Sequence, residues 1–201
     1  MPRMTGVEAI AAYLASVPGG IDAYPDCLHK GEPLAVWLER SPLDGLAECV
    51  PPAVARLLRV PRELPPWVPE VHATVIYLAM RQVHFQDDAS FLAHARRCNQ
   101  AVLETPLNQV LFWAASPRAI LRAGPVRWGS MHRGSTITVR SPDEQSGELT
   151  MAFPENLLPE IVVRGNGTGC ALAIERAGGR DTEVHVREMS PTRAVLEARW
   201  R

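Results

Sequence analysis

The chain has no excess of charge. Its 201 residues carry 21 Lys and Arg against 22 Asp and Glu, a formal net charge of -1. No global field therefore draws it to nucleic acid or to an anionic membrane, and neither is expected as a partner. No apolar run reaches membrane-spanning length, so no membrane span is expected. The N-terminus lacks the basic, apolar, small-residue succession of a secretory signal, which makes a cytoplasmic protein the expectation. Cysteine is sparse and scattered: Cys27, Cys49, Cys98 and Cys170 form no CxxC pair. Metal ligand sets usually come with short local spacings, so a structural zinc site is disfavoured and no cofactor is expected. Cys98 and Cys170 fall on apolar helical faces and read as buried small hydrophobes.

Catalytic signatures are missing as well. No serine sits in a GxSxG elbow. None of His29, His72, His84, His94, His132 and His185 forms an HxxxH or HExxH pair. The acidic residues are scattered over polar faces, so no carboxylate pair stands out for acid/base work. Gly165, Gly167 and Gly169 superficially resemble a phosphate-cradling loop. A P-loop needs a Lys-Ser/Thr pair, and here Cys170 and Ala171 follow; the glycines read as the flexible start of a helix.

What is present is a change of period along the chain. Proline is frequent, with 18 residues, and marks boundaries between elements. Thr5 and Glu8 are placed as a capping box for a first helix, whose apolar face is Ile10, Tyr13, Leu14 and Val17. Residues 21–30 look irregular. Short helices are expected over 33–40, burying Leu34, Trp37 and Leu38, and over 52–58. From Pro69 a long helix runs to about His84, apolar on more than one side and so in need of cover. Asp87 or Asp88 caps the next helix, with Phe91, Ala95, Cys98 and Val102 inward and Ser90, His94 and Arg97 on the polar stripe. Pro106 opens another helix. Ser116-Pro117 starts one more, ending near Gly124.

The period then falls to two. Ile137 and Val139, then Leu149, Met151 and Phe153, alternate with polar neighbours around a polar turn, the pattern of a hairpin. Residues 156–163 show no clean alternation. A helix over 167–177 follows, ended by Gly178-Gly179. Two strands close the chain, with Val184 and Val186, then Ala194, Leu196, Ala198 and Trp200 inward. The fold class is therefore α+β: an N-terminal helical layer packed on a twisted, mainly antiparallel sheet of about four strands in the C-terminal third. The length suits a single domain over 1–201, with 1–66 as an N-terminal helical subregion and 67–201 as core helices plus sheet.

The candidate site residues are few. His94 and His185 read as solvated. His72 lies on the most apolar helix, where it could face a pocket. Trp128, His132 and Arg133 concentrate an indole, an imidazole and a guanidinium on a loop expected between helices and sheet, where binding groups tend to sit. The competing reading is a capped helix end with Trp128 packed and Arg133 solvated. The tryptophans at 37, 67, 113, 128 and 200 read most simply as core or interface anchors, with the lining of an apolar pocket as the other reading.

Several phrases also carry a resemblance. They are Trp67-Val68-Pro69-Glu70-Val71-His72, Ser116-Pro117 ahead of the Trp128–Ser135 junction, and Ala177-Gly178-Gly179-Arg180-Asp181 followed by Val184-His185-Val186 and a terminal strand closing on Trp200. Together they resemble an uncharacterised family abundant in myxobacteria, related in turn to the fold shared by haem-nitric-oxide-binding domains, four-vinyl-reductase domains and TRAPP transport subunits. The resemblance covers roughly residues 67–200. It implies a helical layer on a twisted antiparallel sheet with a small-molecule pocket between them. The haem branch carries a Tyr-x-Ser-x-Arg motif, and the nearest stretch here, Ser116-Pro117-Arg118, lacks the tyrosine. The clustered cysteines of the four-vinyl-reductase branch are missing too.

The functional expectation is a non-enzymatic ligand-sensing or regulatory module that takes a small hydrophobic ligand. A dimeric interaction or scaffold protein, using an apolar helix face such as that of the 69–84 helix, or a sheet edge, against a second copy or a partner protein, is the alternative. An enzyme with an unrecognised site near Trp128–Arg133 is the third.

Overall fold

The computed structural model describes residues 6–43, 45–48, 50–59, 63–104 and 115–201. The Thr5 cap, Cys49, Trp113 and the helix expected from Pro106 lie outside the described residues.

The first half is helical. α1 (Gly6–Ser16) buries Ile10 and Tyr13 on the expected stripe and gives way to a 3-10 turn at Gly20–Asp22. α2 (Gly31–Arg40) buries Leu34, Trp37 and Leu38, and α3 (Pro52–Arg59) buries Val54 and Ala55. α4 (Glu70–His84) buries every residue from Ala73 to Met80. Its apolar breadth, which suggested a docking face, is covered inside the chain by α1, α3, α5 and the small sheet described below. α5 (Asp88–Leu103) starts on a capping box: Ser90 N–H donates to the Asp87 side chain at 2.8 Å, and the Ser90 hydroxyl faces the Asp87 backbone. Its stripe buries Phe91, Ala95 and Cys98.

His94 is buried too, contrary to the solvated position read from its polar neighbours. Its Nε2 lies 3.0 Å from Ser41 Oγ and 3.2 Å from Cys98 Sγ, which satisfies a polar ring inside the core.

Three short strands, read from the sequence as irregular chain, helix start and loop, form a sheet of order β2-β1-β3. β1 is Leu28–Lys30, β2 is Trp67–Pro69 and β3 is His132–Arg133. The larger sheet is antiparallel, in the order β4-β5-β7-β6. It comprises β4 (Thr136–Arg140), β5 (Ser146–Ala152), β6 (Glu183–Ser190) and β7 (Arg193–Arg199). The expected hairpin is present, with Ile137 opposite Met151 and Val139 opposite Leu149. Ala194, Leu196, Ala198 and Trp200 are buried, as their alternation requires. α+β layering with a four-stranded antiparallel sheet in the C-terminal third is thus the architecture.

Two helices run further than their sequence signals. α6 (Pro117–Met131), capped by Ser116, continues through Gly124 and Pro125 into what reads as a loop. α7 (Glu160–Arg176) starts seven residues before the expected Gly167 and contains Gly165, Gly167 and Gly169. These glycines are not a flexible start. A Cβ on Gly167 would stand 3.1 Å from Leu196 Cδ2 and 3.4 Å from Val184 Cγ1, and one on Gly169 would stand 3.2 Å from the Asn99 amide. They let α7 lie close against the sheet on one side and α5 on the other. Among the described residues, no helix is long and apolar enough to cross a membrane.

Candidate functional site

The small sheet brings together side chains that are remote in sequence. His29 on β1 pairs with Val68 on β2 and with His132 on β3. Residues directly opposite in an antiparallel pair point to one face. The two imidazoles accordingly meet edge to face, with centroids 4.9 Å apart and planes at 84°. Just past β2, the chain turns into α4 at Glu70, whose backbone N–H donates to the Cys27 carbonyl at 2.8 Å. That bond ties the start of α4 to the start of β1 and aims the Glu70 carboxylate between the histidines. Gly134 fixes the other side. It holds φ at 74°, and a Cβ there would fall 2.4 Å from Cys27 Sγ, so only glycine fits.

The result is a closed polar network in an apolar setting. His132 Nδ1–H donates to Glu70 Oε2 at 2.9 Å, with side chains 7% and 2% exposed. His29 Nδ1–H donates to the Lys30 carbonyl at 2.7 Å. A carbonyl only accepts, so this bond leaves the His29 Nε2 lone pair free to receive the Tyr77 hydroxyl at 3.1 Å. Tyr77 lies two helical turns beyond Glu70 on the same face of α4. Burial drives the His29 pKa down to about 4, with the nearby His132 adding to it and Glu70 opposing, so the ring is neutral. Burial alone would raise the Glu70 carboxyl. The charge of His132 and its hydrogen bond, with His29 contributing, outweigh this and hold Glu70 below the ordinary carboxylate range.

His132 also faces outward from this network. Its ring stacks on Trp128, centroids 3.6 Å apart and planes 8° from parallel. The Trp128 indole N–H donates to Ser135 Oγ at 3.1 Å, which joins the end of α6 to the start of β4. Both rings line a cavity of about 270 Å³ between α5, α6, α7 and the sheet. Its wall is mainly aliphatic, with Val102, Ile120, Leu121, Ile137, Met151, Ala173 and Leu196, and with Asn99, Asn166, Arg127 and Cys170 as its polar or polarisable points. Burial pushes the Cys170 thiol up to about 12, so it faces the cavity protonated. A more open groove of about 520 Å³ runs beside α1, lined by Ala12, Tyr13, Pro159 and Met189.

Of the residues named from sequence, Trp128 and His132 stand together on the cavity wall. Arg133 does not join them: it is exposed and lies over the Trp67 ring, 4.0 Å from its centroid, as a cation-π pair. His72 stands apart, half-buried against the turn at Gly20–Asp22, where burial lowers its pKa. His29, Glu70 and Tyr77 were not among the sequence candidates. For Glu70 a signal existed, since an acidic residue opens the most apolar helix of the chain. His29 had none, because its meaning depends on which strands flank it.

No family model matches the sequence and no curated protein does. Solved structures do match. An oxygen-binding H-NOX domain related to soluble guanylate cyclases superposes with a TM-score of 0.57 at 9% identity, over 86% of this chain and 95% of that one. The Fe(II) unliganded H-NOX protein from K. algicida gives a TM-score of 0.57 at 9% identity, over 86% and 96%. A mutant H-NOX from T. tengcongensis gives 0.53 at 10% identity, over 86% and 97%. The chain has the fold of the haem-NO-binding domains, as its sequence phrases implied.

Proposed function

We propose that this chain is a ligand-sensing module, not an enzyme, and that it holds a small apolar molecule in the cavity between α5, α6, α7 and the sheet. The observation that carries this reading is the wall itself: aliphatic over most of its area, closed by helices on three sides, and ended by one stacked Trp128–His132 pair. Small-molecule sites have this form, with an apolar body and a few fixed polar groups. The fold supports the reading, since several of its solved members are named for bound haem or oxygen.

A haem does not fit the residues present. The cavity of about 270 Å³ lies below the roughly 300–1,000 Å³ of sites for drug-sized ligands, and a porphyrin is larger still. Among the described residues, the imidazole on the wall is that of His132, which has its Nδ1 committed to Glu70 and one face committed to Trp128. Among the described residues, Arg127 is the one guanidinium on the wall, against the two carboxylates of a haem. The ligand class that fits is smaller and uncharged.

Titration with a small environment-sensitive apolar fluorophore tests this. Saturable binding of one probe per chain is expected. Ala173→Phe, which fills the cavity, is expected to weaken it at least tenfold while leaving the melting temperature nearly unchanged. Ala12→Phe, in the groove beside α1, is expected to leave it intact. The reverse pattern, or no saturable binding, would overturn the reading.

A further inference from the structure

The network behind the cavity wall contains more than an apolar pocket requires. Two imidazoles and a carboxylate, all buried, each place one donor atom within 4.8 Å of the other two. We propose that His29, Glu70 and His132 form a binding site for one divalent first-row transition metal ion, of which zinc is the natural probe. The inference is independent of what the cavity holds.

Four features carry it. The donor set is two nitrogens and one carboxylate oxygen, which suits zinc or ferrous iron and not the all-oxygen shells of magnesium or calcium. The spacing is close to that of a coordination sphere. Bonds of about 2.0–2.1 Å in a tetrahedron put ligand atoms about 3.3 Å apart. His132 Nδ1 and Glu70 Oε2 are already 2.9 Å apart, and the ion would take the place of the proton now shared between them, which is released to solvent on binding.

The third feature is tautomer control. The hydrogen bond from His29 Nδ1 to the Lys30 carbonyl leaves Nε2 as a lone-pair donor, the outer support that metal-binding histidines habitually have. Tyr77, now hydrogen-bonded to that nitrogen, sits where it would border the ion.

The fourth is rigidity. The donors come from β1, the first turn of α4 and β3, held in register by backbone pairing and by the Glu70-to-Cys27 bond. Ligand sites on locked elements keep their geometry without a folding cost at binding.

The test uses the full chain, stripped with a chelator and then titrated with zinc alone by calorimetry and with cobalt alone by visible absorption. One zinc per chain is expected, together with the intense visible bands of low-coordinate cobalt and a rise in melting temperature with zinc. His29→Gln and Glu70→Gln are each expected to weaken zinc binding more than the about 10- to 100-fold lost with an outer hydrogen-bond partner. His84→Ala combined with His185→Ala removes two exposed imidazoles and is expected to change nothing. The proposal falls if zinc binds substoichiometrically, if both network variants bind it like the original chain, or if the surface variant abolishes binding. Should a network variant fail to fold, the cobalt bands and the zinc-dependent melting shift of the unaltered chain decide, and absence of either overturns the site.

Discussion

The imidazole of His132 lies flat on the indole of Trp128, at 3.6 Å between centroids. The contact joins the last turn of α6 to β3, and it separates the apolar cavity from the buried network of His29 and Glu70. Trp128 thus both supports a histidine and forms the cavity wall. Trp128→Ala is expected to cost about 3–5 kcal/mol, the range for a large buried aromatic. Trp128→Phe keeps a ring under His132 and loses only the bond to Ser135, so it is expected to cost about 0.5–1.5 kcal/mol. Urea unfolding of the two variants measures the difference. Equal losses would show that the stack contributes little.

The helical glycines of α7 give a prediction with opposite signs. A Cβ on Gly165 would have Ala95 Cβ no nearer than 4.0 Å, so there is room. Gly165→Ala should then gain helix propensity and stabilise by up to about 1 kcal/mol. At Gly167 a branched side chain would push into Leu196 and Val184. Gly167→Val is expected to destabilise by about 1–3 kcal/mol through overpacking. Thermal unfolding of both reads the sign directly, and a stabilised Gly167→Val would mean that α7 does not seat on β6 and β7 as described.

The buried His94 predicts a pH dependence. Burial lowers its pKa, and the positive charges of Arg97, Arg40 and His84 add to the effect. The unfolded chain takes up a proton near its ordinary value of about 6.5, which the folded chain refuses. The neutral ring's contribution is therefore intact above that pH and declines as the pH falls toward the lower folded value. Stability should drop between about pH 7.5 and 5.5, and His94→Gln should flatten the drop without abolishing it, since His29 and His72 have pKa values shifted the same way. Urea midpoints across that interval provide the measurement. An unchanged slope in the variant would show that His94 is not the group responsible.

Local signals in the sequence were reliable where one element decided the outcome. The cap at Asp87, the stripe of α5 and the alternation of the β4–β5 hairpin each depend on neighbours a few residues away, and each is present. The sequence signal for α7 is too short because Pro159 and the three glycines lower helix propensity, while the packing that compensates comes from Asn99, Val184 and Leu196 elsewhere in the chain. The sequence signal for α6 stops at Gly124 because Pro125 forfeits a backbone hydrogen bond, a loss the helix tolerates beside the 80% exposed Val126.

For the site, Trp128 and His132 were recognisable as a local concentration of chemistry. His29 was not. β1 is three residues long, too short to show a period, and its pairing with β3 cannot be read from either segment alone. The sequence places His94 on a solvated face because Arg97 on its flank is polar, whereas its own partners, Ser41 and Cys98, face inward.

The β2-β1-β3 sheet sets the order in which this protein can become competent. Tyr77 and His132 meet their partners His29 and Glu70 across separations of 48 and 62 residues. Each closure costs chain entropy before any contact repays it, so the network must await the docking of α4 and α6. No fragment spanning only the helical first half, or only the larger sheet, contains all of its members. The cluster is therefore a checkpoint on completion of the fold: a partly assembled chain can have helices and a hairpin, but it cannot present this site.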